Sequence, residues 1–203
     1  MARPREFNET DAVQSAMNCF WQRGYEATSM RDLAASMGMS APSLYNAFGD
    51  KQRLFARALE RYLDCNARDL VHRLESSLPP KEAIQQFFAE IIDHSINDRE
   101  RKGCFLVNSA LDVAPHQKEL GAIIAKQFGE IEAFFKRCIL GAQADGSTPR
   151  AVDANDIARL LLGVILGIRV LARSAPHRPL IEGMVRPALA TLDSPRLVGT
   201  KPR

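Results

Sequence analysis

Cysteine and histidine are the residue types of this 203-residue chain that most often serve catalysis or metal binding. The four cysteines stand at positions 19, 65, 104 and 138, and no two of them form a Cys-x-x-Cys pair. The four histidines show no paired metal-ligand spacing, and neither a Ser-His-Asp or Cys-His arrangement nor a glycine-rich phosphate loop is legible. These residues therefore predict no enzyme, no metal site and no cofactor. An all-α thiol- or metal-dependent enzyme is the alternative class.

A different kind of chemistry is suggested by residues 28–48, TSMRDLAASMGMSAPSLYNAF, where two short apolar stripes are separated by Gly38 and restarted at Ser40. A helix-turn-helix needs a small residue where its helices cross, and Ala34 meets that need. It also needs a residue that tolerates the left-handed conformation at the turn, which Gly38 supplies. The apolar residues that would hold both helices together are Leu33, Met37, Met39, Leu44 and Ala47. A generic helical hairpin is the alternative for this stretch alone.

The elements around this segment are predicted to be helical, because apolar positions recur at helical spacing almost everywhere and no alternating strand pattern is found. We therefore expect an all-α fold of about nine helices. The first helix is predicted to end at Gly24, and the next three to be capped by Thr28 or Ser29, by Ser40 and by Asp50. Pro79-Pro80 is a predicted break before the fifth helix, and a short sixth helix is predicted over Cys104 to Val113. The seventh helix is predicted to start at Pro115 and to end near Gly141, and Asp153 to cap the eighth.

With its flanks, this segment resembles the tetracycline-repressor (TetR) family of bacterial transcription regulators. The positions that carry the resemblance are Gly24, Tyr25, Thr28, Leu44, Tyr45, Phe48 and Lys51. The resemblance implies a homodimeric, ligand-responsive regulator, most often a repressor, which leaves a palindromic double-stranded DNA operator when an effector binds. A helical adaptor without DNA binding is a further alternative. The resemblance implies a DNA-binding domain over residues 1–50 and a ligand-binding and dimerisation domain over 51–194, with the fourth helix connecting the two. Residues 195–203 are expected to form a flexible tail.

The contacts with DNA follow from that resemblance. The N-terminal turn of the third helix would enter the major groove, so the candidate base contacts are Ala41, Pro42 and Ser43. Ala and Pro offer only apolar contact, as with a thymine methyl group, whereas Ser43 can donate or accept a hydrogen bond. The resemblance places backbone phosphate contacts at Thr28, Ser29, Tyr45, Asn46 and Lys51. Arg3 and Arg5 form a candidate basic arm for the minor groove; an unbound tail is the alternative.

One such module makes few contacts, so two are expected about 34 to 36 Å apart, in successive major grooves. The resemblance implies that the last two helices form a four-helix bundle with those of a second copy. The candidate interface residues are Ile157, Gly163, Gly167, Ile181, Met184, Val185 and Leu189. A central helix in a monomeric core is the alternative.

The C-terminal half is expected to bind an unidentified small-molecule effector. The candidate pocket residues are Phe87, Phe88, His94, Cys104, Asn108, Asp112, His116, Phe128, Phe134 and Phe135. Plain core packing is the alternative for the phenylalanines, and a surface or already satisfied side chain is the alternative for His94 and His116. Residues 103–111, GCFLVNSAL, resemble a Gly-Cys segment found in a subset of the family, some of whose members respond to electrophiles or oxidants. Cys104 is therefore either a reactive sensor or a small buried hydrophobe.

Bulk properties bound these predictions. A net charge of +3 and a pI near 8.8 permit a polyanionic partner without requiring one. The longest apolar stretch is too short for a bilayer span, and residues 1–7 do not resemble a secretion signal. We expect a cytoplasmic protein with no membrane partner.

Overall fold

The computed structural model describes residues 8–193 of the chain. In that range every regular element is a helix, which confirms the predicted all-α fold. The helices are α1 (Glu9–Arg23), α2 (Met30–Ser36), α3 (Ala41–Phe48), α4 (Lys51–Leu63), α5 (Asp69–Ser77), α6 (Pro80–Asn97), α7 (Phe105–Asp112), α8 (Lys118–Ala144), α9 (Ala154–Ser174) and α10 (Arg178–Ala190). A π-helical turn, Asp64–Arg68, joins α4 to α5 without a break, so residues 8–193 contain nine continuous helical runs.

The caps and breaks follow the sequence closely, with one difference. Ser29, one of the two residues predicted to cap α2, does so, and Ser40, Asp50 and Asp153 cap α3, α4 and α9 as predicted. The start of α8 at Pro115 was predicted wrongly. Residues 113–116 form a turn, in which His116 and Gln117 donate their N–H groups to the Val113 carbonyl, and α8 begins at residue 118. The predicted basic arm and the tail from residue 195 lie outside the described residues.

The chain divides into two compact units, each with its own core. The N-terminal unit contains the chain up to Ala67 together with Cys104–Ile124, and the second unit contains Arg68–Gly103 and the chain from Ala125. The predicted domain boundary at residue 50 does not coincide with this division, because α4 packs against α1 and α7 packs against α4 inside the N-terminal unit. Helix α4 is thus part of the module that positions α2 and α3. No helix in residues 8–193 is long and apolar enough to cross a membrane.

The core of the N-terminal unit is built around aromatic side chains. Phe20 of α1 lies edge-on to Phe55 of α4, with ring centroids 5.0 Å apart, and Tyr25 contacts Phe55 in the same way. Phe105 of α7 joins the cluster through Phe55 at 5.3 Å and Tyr62 at 5.6 Å. Such edge-to-face pairs contribute about 0.5–1.5 kcal/mol beyond their area burial. They hold α1, α4 and α7 together as a scaffold for the short α2–α3 pair.

The second unit has a separate aromatic core between α6 and α8. Phe87 contacts Phe134 at 5.4 Å and Phe135 at 5.3 Å between ring centroids, and Phe88 stacks on Phe135 at 5.8 Å. All four rings are at least 97% buried. Helices α9 and α10 pack against α6 and against each other.

Candidate nucleic-acid interface

The two helices of the predicted helix-turn-helix are short, and their first turns are fixed by capping hydrogen bonds. The Ser29 hydroxyl accepts the N–H of Asp32 at 3.1 Å, while the Asp32 carboxylate accepts the N–H of Ser29 at 2.9 Å. Such a capping box satisfies two N–H groups that a helix leaves unpaired. The hydrogen bonds from Ser29, followed by the charge of Arg23 at 3.2 Å, lower the pKa of the Asp32 carboxyl. The start of α2 is therefore well defined despite a length of only seven residues.

The turn between α2 and α3 is made by Gly38, whose φ of +64° lies in the left-handed region that favours glycine. Met39 then donates its N–H to the Ala34 carbonyl at 2.9 Å, which closes the end of α2. Ala34 is 5% exposed, and Leu33 and Leu44 are completely buried. The small residue, the turn glycine and the apolar contacts thus occupy the places that a helix-turn-helix requires.

Helix α3 presents its first turn to solvent. Ala41, Pro42 and Ser43 are all exposed, while Leu44 and Phe48 face the core. The Ser40 hydroxyl caps the helix by accepting the N–H of Ser43 at 3.3 Å. The hydroxyl groups of Ser40 and Ser43 are 2.8 Å apart and share one hydrogen bond, so part of the hydrogen-bonding capacity of Ser43 is already used within the helix. The three predicted base-contact residues are accessible on one turn.

Two further candidate contacts, Tyr45 and Asn46, are exposed on the same helix. Tyr45 is 52% exposed, an unusual value for an aromatic side chain beside a well-packed core. Its hydroxyl and the Asn46 carboxamide are neutral hydrogen-bonding groups of the kind that contact DNA. Their exposure is consistent with the predicted contacts but does not distinguish a phosphate from a base.

Lys51, at the start of α4, is held above the ring of Tyr25. Its ammonium nitrogen lies 4.2 Å from the ring centroid and 3.5 Å from the Glu26 carbonyl oxygen. A cation over an aromatic face is attracted by the ring quadrupole, so the side chain is oriented without a carboxylate partner. Burial raises the pKa of Tyr25, with further contributions from Glu26 and Asp50. Lys51 therefore combines a positive charge with the positive end of α4, an arrangement suited to a phosphate group.

The side chains of two of the predicted phosphate contacts are already hydrogen-bonded within the protein. Thr28 is fully buried, and its hydroxyl donates to the Gly24 carbonyl at 2.7 Å. The prediction of a phosphate contact by this side chain was wrong, because the threonine closes the loop between α1 and α2. Ser29 is exposed, but its hydroxyl is engaged with the Asp32 carboxylate. A negative charge next to it makes Ser29 a weaker phosphate ligand than Lys51.

Two arginines near these helices were not predicted as contacts. Arg31, in the first turn of α2, is exposed and has no ion-pair partner in the described part of the chain. The Arg53 side chain is 77% exposed at the start of α4 and lies 3.9 Å from Asp50. Both add positive charge to the helices that precede and follow α3 in the chain, whereas α3 itself carries none. No sequence pattern distinguishes an arginine that contacts DNA from another surface arginine, so Arg31 and Arg53 were not predicted from the sequence.

The family models match both parts of the chain. Residues 12–58 match the model described as "Bacterial regulatory proteins, tetR family", and residues 80–179 match "Tetracyclin repressor-like, C-terminal domain". The chain belongs to the TetR family. It is accordingly a TetR-family transcriptional regulator with a helix-turn-helix, and not an enzyme.

Relatives and solved structures agree with this membership. The HTH-type transcriptional regulator YezE of Bacillus subtilis (strain 168) is 31% identical over 195 residues, covering 95% of this chain and 100% of YezE. The repressor ComR of Escherichia coli (strain K12) is 32% identical over 174 residues, covering 84% and 82% of the two chains. A cysteine variant of the TetR-family regulator CifR, solved with a 26-bp operator duplex, superimposes with a TM-score of 0.82 at 30% identity, covering 93% of this chain and 98% of that one.

Most of the second-unit residues that were predicted to line an effector pocket of this TetR-family regulator are buried. Phe87, Phe88, Phe134 and Phe135 are packed against one another as core. Phe128 is half-buried. His94 was a candidate polar anchor, but its side chain is exposed on the single subunit. Partial removal of the imidazole from water by neighbouring protein atoms, followed by the charge of Arg169, lowers the pKa of His94. The four packed rings thus agree with the alternative reading of these phenylalanines as core residues.

The remaining pocket candidates lie in the N-terminal unit. Cys104 is 8% exposed, and its sulfur accepts a hydrogen bond from the Tyr62 hydroxyl at 3.4 Å. Asn108 is half-buried on α7. Asp112 and His116 are exposed, so the prediction that they anchor an enclosed ligand was wrong for the single subunit. Of the four, only Cys104 and Asn108 reach inward.

The predicted dimer residues of this regulator separate into two sets. Ile157, Ile181 and Val185 are at most 9% exposed within one subunit, so these side chains are less available to a partner than predicted. They bury their side chains in the core of the second unit. Gly167 has a similar internal role, because a Cβ there would lie 2.8 Å from the methyl carbon of Met184. Gly163 is different: it is exposed and has open space around it.

An exposed apolar stripe runs along the outer side of α9. Leu160 is 43% and Val170 is 47% exposed, and both lie at helical spacing from Gly163. On α10, Leu180 is 46% exposed, and Met184 and Leu189 are half-buried. The exposed residues of this stripe, rather than the buried ones, are available to a partner.

Two buried polar atoms of the second unit have no hydrogen-bond partner among the described residues: the amide oxygen of Gln127 and the hydroxyl of Thr148. Gln127 is 3% exposed on α8, and Thr148 is 2% exposed in the loop before α9. Neither residue was predicted to be buried. Gln127 occupies an inward position of α8 that would ordinarily hold an apolar residue. No group of three or more potential metal ligands occurs in residues 8–193.

Proposed function

We propose that this TetR-family regulator acts as a homodimeric repressor on a palindromic operator. The observation that carries the proposal is the outer surface of α3, whose exposed side chains are uncharged, followed by Lys51, which is held above the Tyr25 ring at the start of α4. Arg31 and Arg53, exposed on the helices before and after α3 in the chain, add positive charge. Cations position a protein on the phosphate backbone, and the central side chains read base edges. One module of this size contacts a single half-site, so two are required for tight binding.

Pairing through α9 and α10 is supported by the apolar stripe of Leu160, Gly163 and Val170, with Leu180 on α10. Isologous contact between two copies would cover this stripe on both. The open space around Gly163 would let the two α9 helices approach closely. The dimer then sets the distance between the two copies of α3.

The operator contacts divide by role. Lys51 and Tyr45 bind phosphates, and Arg31 and Arg53 add electrostatic attraction. Ala41, Pro42 and Ser43 lie in the groove. The operator-bound structure of CifR, a relative with 30% identity, supports a double-stranded DNA partner. Since the target is chromosomal DNA, the protein acts in the cytoplasm.

Release from the operator would follow binding of a small-molecule effector or modification of Cys104. An effector needs only to prefer the conformation that does not fit the operator, and the coupling is reciprocal. Cys104 precedes α7 and contacts Tyr62, which lies on α4 next to the helix-turn-helix. A modified sulfur would disturb that contact from within the N-terminal unit.

The experiment is a binding series with duplexes from the regions flanking the gene. Specific binding by a dimer, with affinity falling steeply as salt rises, is expected. Quinone or hypochlorite should release the wild-type protein, and Cys104→Ser should reduce that response while leaving operator affinity unchanged; Cys65→Ser, at an exposed thiol, is the control. An unchanged response in Cys104→Ser would remove the thiol route and leave the effector route.

A further inference from the structure

The outward face of α3 is defined by residues one helical turn apart. Leu44 and Phe48 are buried at 0% and 4% exposure, so they mark the inward face. Pro42 and Asn46 each precede one of these residues by two positions, which is about 200° around a helix. Both are exposed. Pro42 and Asn46 therefore form the centre of the face that points away from the protein, with Ser43 beside them.

This face carries a restricted set of chemical groups. Helix α3, APSLYNAF, contains no arginine or lysine, which read guanine, and no aspartate or glutamate, which read cytosine. The Ser43 hydroxyl shares a hydrogen bond with Ser40. What remains at the centre is the apolar ring of Pro42 and the carboxamide of Asn46.

These two groups match the two bases of an A·T pair. An apolar group packs on the thymine methyl, and an asparagine carboxamide forms two hydrogen bonds with N6 and N7 of adenine. We propose that α3 recognises A·T pairs in each half-site, with Pro42 contacting a thymine methyl and Asn46 contacting an adenine. The inference rests on the proposed function and moves Asn46 from phosphate contact to base contact.

The test uses single-atom changes in the DNA. An operator is first selected from random duplexes with the full-length protein. Each thymine of a half-site is then replaced by uracil, which lacks only the methyl group, and each adenine by 7-deazaadenine, which lacks the N7 acceptor. We expect one thymine where uracil weakens binding about 4-fold per half-site. We also expect one adenine where the 7-deaza base weakens binding about 10-fold.

Protein variants assign each effect to a residue. Pro42→Ala should lower the uracil penalty below about 2-fold, and Asn46→Ala should remove the 7-deazaadenine penalty at its one position. Pro179→Ala is the matched control for the first, because Pro179 is also an exposed proline in the first turn of a helix, α10. Asn97→Ala, at an exposed asparagine of α6, is the control for the second. Both controls should keep both penalties.

Each contrary result has a distinct meaning. If no duplex is enriched, the proposed function itself fails. If an operator is enriched but tolerates uracil and 7-deazaadenine everywhere, the protein binds DNA and the A·T inference is overturned. If Asn46→Ala weakens all duplexes equally and the 7-deazaadenine penalty persists, Asn46 is a phosphate contact and the inference is again overturned.

Discussion

The α2–α3 surface was singled out by the spacing and family resemblance of a helix-turn-helix, and the aromatic residues of the second unit by residue type alone, and the two predictions fared differently. On α3 the predicted contact residues are exposed, because Leu44 and Phe48 fix which side of an eight-residue helix faces inward. In the second unit the phenylalanines chosen as pocket residues are packed as core. The spacing of apolar residues along a helix predicts which side chains are exposed, whereas the presence of aromatic residues does not distinguish a pocket from a core.

The outer side of α9 extends this comparison to a third surface. The sequence of α9 is apolar nearly all round the helix, and Leu160 and Val170 are exposed on the single subunit. A contiguous exposed apolar stripe of this kind marks an interaction surface. The following substitutions test whether the three surfaces differ in function as they differ in exposure.

Leu160→Glu should have the largest effect, because it places a charge in the apolar stripe of α9. We expect a monomer in analytical ultracentrifugation and a loss of operator affinity of about 100-fold or more, since two linked half-sites are replaced by one. Leu140→Glu is the matched control, because Leu140 is a leucine of α8 with 48% exposure. A dimer that tolerates Leu160→Glu as well as Leu140→Glu would place the interface elsewhere.

Lys51→Ala should weaken binding to every DNA sequence by about 10-fold at low salt, because it removes one phosphate contact from each subunit. The slope of log affinity against log salt should become shallower by about two for the dimer. Lys136→Ala, at an exposed lysine of α8, should leave the slope unchanged. A sequence-dependent loss in Lys51→Ala would mean that this lysine reads bases.

Unpaired polar atoms in the second unit should cost stability in the free protein. Gln127→Met and Thr148→Val each remove a buried group that lacks a partner, so each should raise the free energy of unfolding by about 1–3 kcal/mol. Thr191→Val is the control: Thr191 is equally buried, but its hydroxyl donates to Ala188 at 2.6 Å, so its loss should be destabilising. Thermal unfolding measures all three, and the same sign for both threonines would contradict the reasoning.

Two glycines with open surroundings should respond in opposite directions. Gly38→Ala should destabilise by about 1 kcal/mol, because the turn holds φ at +64°. Gly129→Ala, inside α8 with nothing near its Cβ position, should stabilise by up to about 1 kcal/mol. Urea unfolding of the two variants gives the comparison, and a neutral Gly38→Ala would show that the turn is not fixed by this glycine.

The sequence was sufficient for the elements that depend on local rules. Caps at Ser40, Asp50 and Asp153 follow from side chains that accept N–H groups two or three residues ahead. The turn at Gly38 follows from the ability of glycine to adopt a positive φ, and the burial of Leu44 follows from the helical spacing of apolar residues. These rules act over a few residues, so they can be applied without knowing the tertiary structure.

The misassignments depend on contacts between distant segments. Thr28 was predicted to bind phosphate, but its hydroxyl is used by the Gly24 carbonyl in a loop whose path is set by the packing of α1 on α4. Ile181 and Val185 were assigned to the dimer because they share a stripe with Met184, although α6 and α9 cover that stripe within one subunit. Which of two apolar faces is internal is decided by tertiary packing.

Hydroxyl-radical footprinting of the selected operator tests the central claim most directly. Two α3 helices carried by one dimer should protect two patches on the same face of the duplex, with centres one helical turn, about 34–36 Å, or a whole number of turns apart. Leu160→Glu should lose both patches at the concentration that protects the wild type. A single protected patch with wild-type protein, or two patches on opposite faces, would contradict the account.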